Sequence, residues 1–187
     1  MIGYAFCGSF CTLGDSLTAF RELCRENPGG VIPILSERVY STDTRFFRAE
    51  DFCRQVEQIS GNKPIHTVEG AEPFGQNRLA YLVIAPCTGN TLSKLANGIT
   101  DTAVTMAAKA HLRSDGRLLI ALASNDAMSQ NLKNLAALLT RRSVYFLPMR
   151  QDNPIAKPHS LVADFARIPE AIAAMQKGEQ LRPIFIS

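Results

Sequence analysis

Short apolar runs rich in strand-forming residues alternate with helix-periodic stretches along the chain, and that alternation restricts it to a layered α/β architecture. Residues 2–7 read as a first strand. Residues 15–26 read as a helix with Leu17, Phe20, Leu23 and Cys24 on its apolar stripe, stopped by Asn27-Pro28-Gly29-Gly30. Residues 31–35 give a second strand, and residues 50–59 a helix through Phe52, Cys53, Val56 and Ile59 that ends at Gly61. Residues 79–85 form a near-continuous apolar run, as in a strand covered on both faces. Two helices (residues 90–97 and 102–112) are split by Gly98. A fourth strand (117–123), a helix (130–140), a fifth strand (144–147) and a late helix (169–177) complete the pattern. Strand–helix order of this kind predicts a three-layer Rossmann-like parallel sheet with helices on both faces. Residues 151–161 hold two prolines and little periodicity, which predicts an ordered loop or arm. With no linker or repeat, residues 1–187 are read as one domain.

Composition removes several function classes. No apolar run approaches the ~18 residues of a membrane span, and no basic segment leads an apolar one at the start. The cytoplasm is the expected location. A net charge of +3, scattered along the chain, does not make a nucleic-acid footprint. The five cysteines, Cys7, Cys11, Cys24, Cys53 and Cys87, include no CxxC pair, which argues against a disulfide framework and a structural zinc site.

Ligands of open parallel sheets bind beyond the carboxyl ends of the strands, so four loops become candidates. They are Gly8-Ser9-Phe10-Cys11-Thr12, the stretch from Ser36 onward, residues 86–91, and Ser124-Asn125-Asp126. All are rich in glycine, hydroxyl and amide groups, and each leads to a helix N-terminus that favours an anion. The first is not GxGxxG, so a dinucleotide fingerprint is absent and a mononucleotide fits better. The plainer account makes Ser9, Thr91 and Ser124 helix caps.

The stretch Ala85-Pro86-Cys87-Thr88-Gly89-Asn90-Thr91, with Lys94-Leu95-Ala96-Asn97-Gly98-Ile99-Thr100-Asp101 behind it, resembles the P-A-S-A-N-T block of the homo-oligomeric flavin-containing cysteine decarboxylases. The resemblance implies their flavoprotein fold, a trimer-based homo-oligomer and FMN. Its flavin would lie against Gly8, Ser9, Phe10, Cys11, Ser36, Pro86, Thr88, Gly89, Asn90, Thr91 and Ser124. Gly89 replaces the usual alanine. Two departures separate the chain from those decarboxylases. Their catalytic histidine has no counterpart in Gly70-Ala71-Glu72-Pro73-Phe74-Gly75-Gln76-Asn77, and their P-x-M-N block is replaced by Ala123-Ser124-Asn125-Asp126-Ala127-Met128.

Ser41-Thr42-Asp43-Thr44-Arg45-Phe46, Ala71-Glu72-Pro73-Phe74-Gly75, Thr88-Gly89-Asn90, Ser124-Asn125-Asp126-Ala127 and Phe146-Leu147-Pro148-Met149-Arg150-Gln151-Asp152-Asn153-Pro154 together resemble the family of dipicolinate synthase B subunits. That resemblance implies oxidation of dihydrodipicolinate to dipicolinate in sporulation, with NADP supplied by a partner, the A subunit. A small cyclic dicarboxylate calls for forked guanidinium donors, which makes Arg45 and Arg150 the candidates for its carboxylates. Thr44, Asn90 and Asn125 would be neutral donors, and Glu72, standing where the decarboxylases keep histidine, the base. His111 near a helix end is expected to complement the helix dipole. The alanine-rich helix 102–110 could let helices of different subunits approach closely. Two other readings stay open: an FMN-dependent decarboxylase of a cysteine-derived substrate, and a non-catalytic subunit that has lost flavin.

Overall fold

The computed structural model describes residues 1–76 and 79–187. Its central sheet contains β1 (Ile2–Phe6), β2 (Val31–Leu35), β3 (Leu82–Cys87), β4 (Leu118–Ser124), β5 (Val144–Phe146), β6 (Met149–Asn153) and β7 (Lys157–Ala163). The strand path is β2-β1-β3-β4-β7-β6, and β5 pairs with the first half of β4. Strands β1 to β5 are parallel. This parallel block agrees with the strand–helix alternation of the sequence.

Burial explains why these runs are apolar without alternation. β1 and β3 are buried along their whole lengths, and β4 up to Ser124. Tyr4, Phe6, Val83, Ala85, Leu119 and Ala121 face one core, closed by α1 (Leu13–Glu26), α3 (Ala49–Ser60) and α8 (Ile168–Gln176). Cys7, Leu82, Ile84, Leu118, Ile120 and Leu122 face the other, closed by α5 (Gly89–Asn97), α6 (Ala103–Leu112) and α7 (Leu132–Leu139). Two cores around one sheet make the three layers. Phe6 anchors the first, with ring centroids 4.9 Å from Tyr4, 5.2 Å from Phe20 and 5.3 Å from Phe52.

Three differences from the sequence expectation have physical causes. β3 begins at Leu82 because residues 79–81 are still approaching the sheet. A methyl on Gly3 would lie 2.7 Å from a Leu79 methyl, and the Ala80 N–H donates to the Met1 carbonyl at 2.7 Å. Residues 149–163 are an antiparallel hairpin rather than a loop, so the sheet is mixed. Its far half is exposed on both faces, which removes the apolar periodicity that would mark strands. Asn153 Oδ1 closes its turn by accepting from the N–H groups of Ile155 and Ala156. The alanines of α6 are packed inside the chain, against α4 (Val68–Ala71) and the 3₁₀ turn Glu72–Gly75, and so do not form a free helix face.

The C-terminal segment finishes the sheet edge. Gln180 reads Phe146 like a neighbouring strand: its Oε1 accepts from the Phe146 N–H at 2.8 Å and its Nε2 donates to the carbonyl at 2.6 Å. The Met149 N–H donates to the Ile184 carbonyl and the Ile186 N–H to the Met149 carbonyl. No helix among the described residues is long and apolar enough to cross a membrane.

Candidate functional site

The carboxyl ends of β1, β3 and β4 open into one cavity of about 1200 Å³. Gly8, Ser9, Phe10, Cys11 and Thr12 line it after β1, Thr88, Gly89 and Asn90 after β3, and Ser124, Asn125 and Asp126 after β4. Arg45 and Phe46 reach in from beyond β2, and the β6–β7 hairpin supplies Arg150, Asp152, Lys157 and Ser160. Four separate loops therefore converge as the topology demands.

Local hydrogen bonds aim these groups. The Thr44 hydroxyl accepts from the N–H groups of Phe46 and Phe47 at 3.2 and 3.3 Å, forming a tight turn with Arg45 at its tip. The Arg45 guanidinium lies over the Phe46 ring, 4.8 Å from its centroid. Neither Arg45 nor Arg150 is in an ion pair among the described residues. The Thr88 hydroxyl caps α5 by accepting from the Thr91 N–H at 3.2 Å, which leaves Gly89 and Asn90 in the first turn facing the cavity.

Several expected site residues are placed elsewhere. Ser36 caps the short helix α2 (Glu37–Ser41), accepting from the Val39 N–H. Thr44 shapes the Arg45 turn without lining the cavity. Pro86 belongs to β3, its carbonyl accepting from the Cys7 N–H at 3.2 Å. Thr91 is buried and donates to the Cys7 sulfur at 3.4 Å. Glu72 is exposed in a 3₁₀ turn that packs on α6, where Gly75 lies beside Ala110 and Arg113. That is the end of α6 leading back to the start of β4, so within one chain the structure does not bring Glu72 to the rim. Asn77 of the same segment lies outside the described residues.

None of the three residues of the capping account caps a helix with its side chain: Thr91 gives its N–H to the Thr88 cap. Ser9 and Ser124 make no side-chain cap bond; Thr12 Oγ1 donates to Ser9, and Ser124 to Asp126. His111 is no cationic dipole partner. It is buried, its Nε2 lies 3.0 Å from the Arg117 carbonyl, and burial lowers its pKa. His159 is exposed on β7 and does not line the cavity. All five cysteines are free. Burial pushes the Cys7 thiol up to about 11 and that of Cys87 well above its ordinary value, so neither is a nucleophile at neutral pH.

A family model described as Flavoprotein matches residues 35–181. The chain belongs to the flavoprotein family. Within it, this flavoprotein groups with dipicolinate synthase B subunits. It is 37% identical over 186 residues to the dipicolinate synthase B subunit of Bacillus subtilis, covering 99% of this chain and 92% of that one. A crystal structure of the dipicolinate synthase B subunit from Bacillus halodurans superimposes with a TM-score of 0.90 at 37% identity, covering 100% of this chain and 95% of that one. The FMN-dependent cysteine decarboxylase SpaF shares the fold, with a TM-score of 0.68 at 19% identity and 95% coverage of both chains.

The residues present fit a flavin mononucleotide. The volume exceeds the ~300–1,000 Å³ common for small-molecule sites. The loop after β1, with its Ser9 hydroxyl, suits a phosphate, while Phe10 and Phe46 offer apolar walls to a flat ring. Asp126, Ser160 and the Lys157–Asp152 ion pair also line this flavoprotein's cavity, and none of them stands out in the sequence as a site residue. Asp126 closes a candidate loop but carries the wrong charge for an anion site. The others sit in the hairpin whose periodicity is missing.

Proposed function

We propose that the chain is the B-type component of a two-chain oxidoreductase that converts a cyclic dihydropyridine dicarboxylate to pyridine-2,6-dicarboxylate. The observation that carries this is the pair of uncommitted guanidinium groups, Arg45 and Arg150, facing one mononucleotide-sized cavity in a chain so similar to dipicolinate synthase B subunits. Aromatisation removes one hydride from a ring carbon and one proton from its neighbour. The hydride goes to the NADP of an A-type partner chain and the proton to solvent, so electrons and atoms balance. This chain's residues bind and orient the acid: the arginine forks hold its carboxylates, and Asn90 and Asn125 donate to neutral edges. FMN, when bound, supplies a two-electron acceptor at the same rim. The protein works in the cytoplasm of a spore-forming cell and assembles as a trimer-based homo-oligomer.

The purified chain and its partner, mixed with substrate and NADP, provide the test. Pyridine nucleotide should be reduced only when both chains are present. A partner that reaches the same rate alone would contradict the assignment. A decarboxylase of a cysteine-derived substrate is less well supported, since the rim within one chain has no histidine among the residues lining the cavity.

A further inference from the structure

Ser124, Asp126, Asn131, Asn134 and Asn97 form a chain of hydrogen bonds from the cavity rim along α7 to the end of α5. Asp126 receives the Ser124 hydroxyl on Oδ1 at 2.5 Å and Asn131 Nδ2 on Oδ2 at 2.8 Å. Asn131 Oδ1 accepts from Asn134 Nδ2 at 2.9 Å, and Asn134 Oδ1 from Asn97 Nδ2 at 3.3 Å. Asn131 and Asn134 are buried. With both oxygens accepting, Asp126 acts as a carboxylate, and a carboxylate cannot donate. Every bond in the chain therefore points toward it, which also fixes which way the asparagine amides face.

The consequence falls on Ser124. A hydroxyl has one proton, and Asp126 takes it, so Ser124 presents only lone pairs to the cavity. The negative charge behind it makes those lone pairs better acceptors and repels an anion. Gly89 holds the arrangement from the other side, since a methyl there would lie 2.7 Å from Asn131 Nδ2 and 2.7 Å from Asp126 Oδ1.

We propose that Asp126 is a positioning residue that makes Ser124 an obligate hydrogen-bond acceptor, so that the ligand edge received there carries a donor. Resting on the flavin reading above, the edge is the ring imide. A phosphate dianion is repelled at this point, whereas the imide N–H is a donor that the hydroxyl lone pairs can accept from. Phosphate is thereby directed toward the loop after β1 and substrate carboxylates toward the arginine-bearing parts of the rim.

The experiment compares equilibrium binding of FMN and 3-methyl-FMN, followed by flavin fluorescence, to wild type, Asp126→Asn and Ser124→Ala. Wild type should prefer FMN by about tenfold or more, the size of one hydrogen bond to a well-oriented acceptor. An asparagine at 126 can donate to Ser124 and release the hydroxyl proton toward the cavity, so the preference should vanish or invert. Ser124→Ala should bring FMN down toward the 3-methyl compound, and thermal melting establishes that each variant is folded. A preference that survives both substitutions is steric and overturns the proposal. So does equal binding of the two flavins by wild type. Absence of any flavin uptake by folded wild-type protein overturns the flavin reading and this proposal together.

Discussion

Replacing Gly89 by alanine tests the packing of the site without touching a charge. The added methyl would lie 2.7 Å from Asn131 Nδ2 and Asp126 Oδ1, and it would also press on Ser124 Oγ. None of these is the free end of a flexible side chain, because Ser124 and Asn131 are both tied to the Asp126 carboxylate. Overpacking of this kind costs about 1–3 kcal/mol, and loss of one hydrogen bond to a carboxylate adds about 1.5–3 kcal/mol. Removing a helical glycine returns up to ~1 kcal/mol. The net expectation is a loss of about 1.5–5 kcal/mol, read from the midpoint of a urea unfolding curve. In an Asp126→Ala background the same methyl should cost less, because one of the three obstructing atoms has gone and Ser124 and Asn131 are no longer held in place by the carboxylate. A Gly89→Ala protein as stable as wild type, or an equal cost in both backgrounds, would refute the close contact.

Phe6→Ala removes the ring that touches Tyr4, Phe20 and Phe52, and should cost about 3–5 kcal/mol in urea unfolding. Burial lowers the His111 pKa, so the unfolded chain binds the proton more readily. Stability should then fall as pH drops below about 6.5 and level off once the folded-state value is passed. His111→Gln should flatten that part of a melting-temperature profile. Arg45→Lys keeps the charge and loses the fork. Assayed with the partner chain, it should raise KM for the dicarboxylate more than it lowers kcat.

The parallel core was legible because burial on both faces writes itself into the sequence as unbroken apolar runs, as in Leu82, Val83 and Ile84 of β3 and Leu118 to Ala123 of β4. The rim was legible in part, since topology alone dictates which loops meet. Gly8, Ser9, Phe10, Cys11, Arg45, Thr88, Gly89, Asn90, Ser124, Asn125 and Arg150 do line one cavity. The hairpin was not legible: Arg150 to Asn153 are all exposed, so no periodicity betrays β6. Nor was the part played by Asp126, whose partner Asn131 stands five residues on and reaches back only once the loop has folded. Spacing likewise could not tell that the turn carrying Glu72, in the segment before β3, packs against the far end of α6.

Whether the rim cavity receives a mononucleotide is decided most directly by titrating FMN into the purified chain and following the flavin signal to saturation. The account predicts one FMN per chain, with Asn90→Ala weakening it by about 1–3 kcal/mol if that amide loses a hydrogen bond. Folded protein that leaves the flavin signal unchanged, or binding untouched by Asn90→Ala, would contradict it.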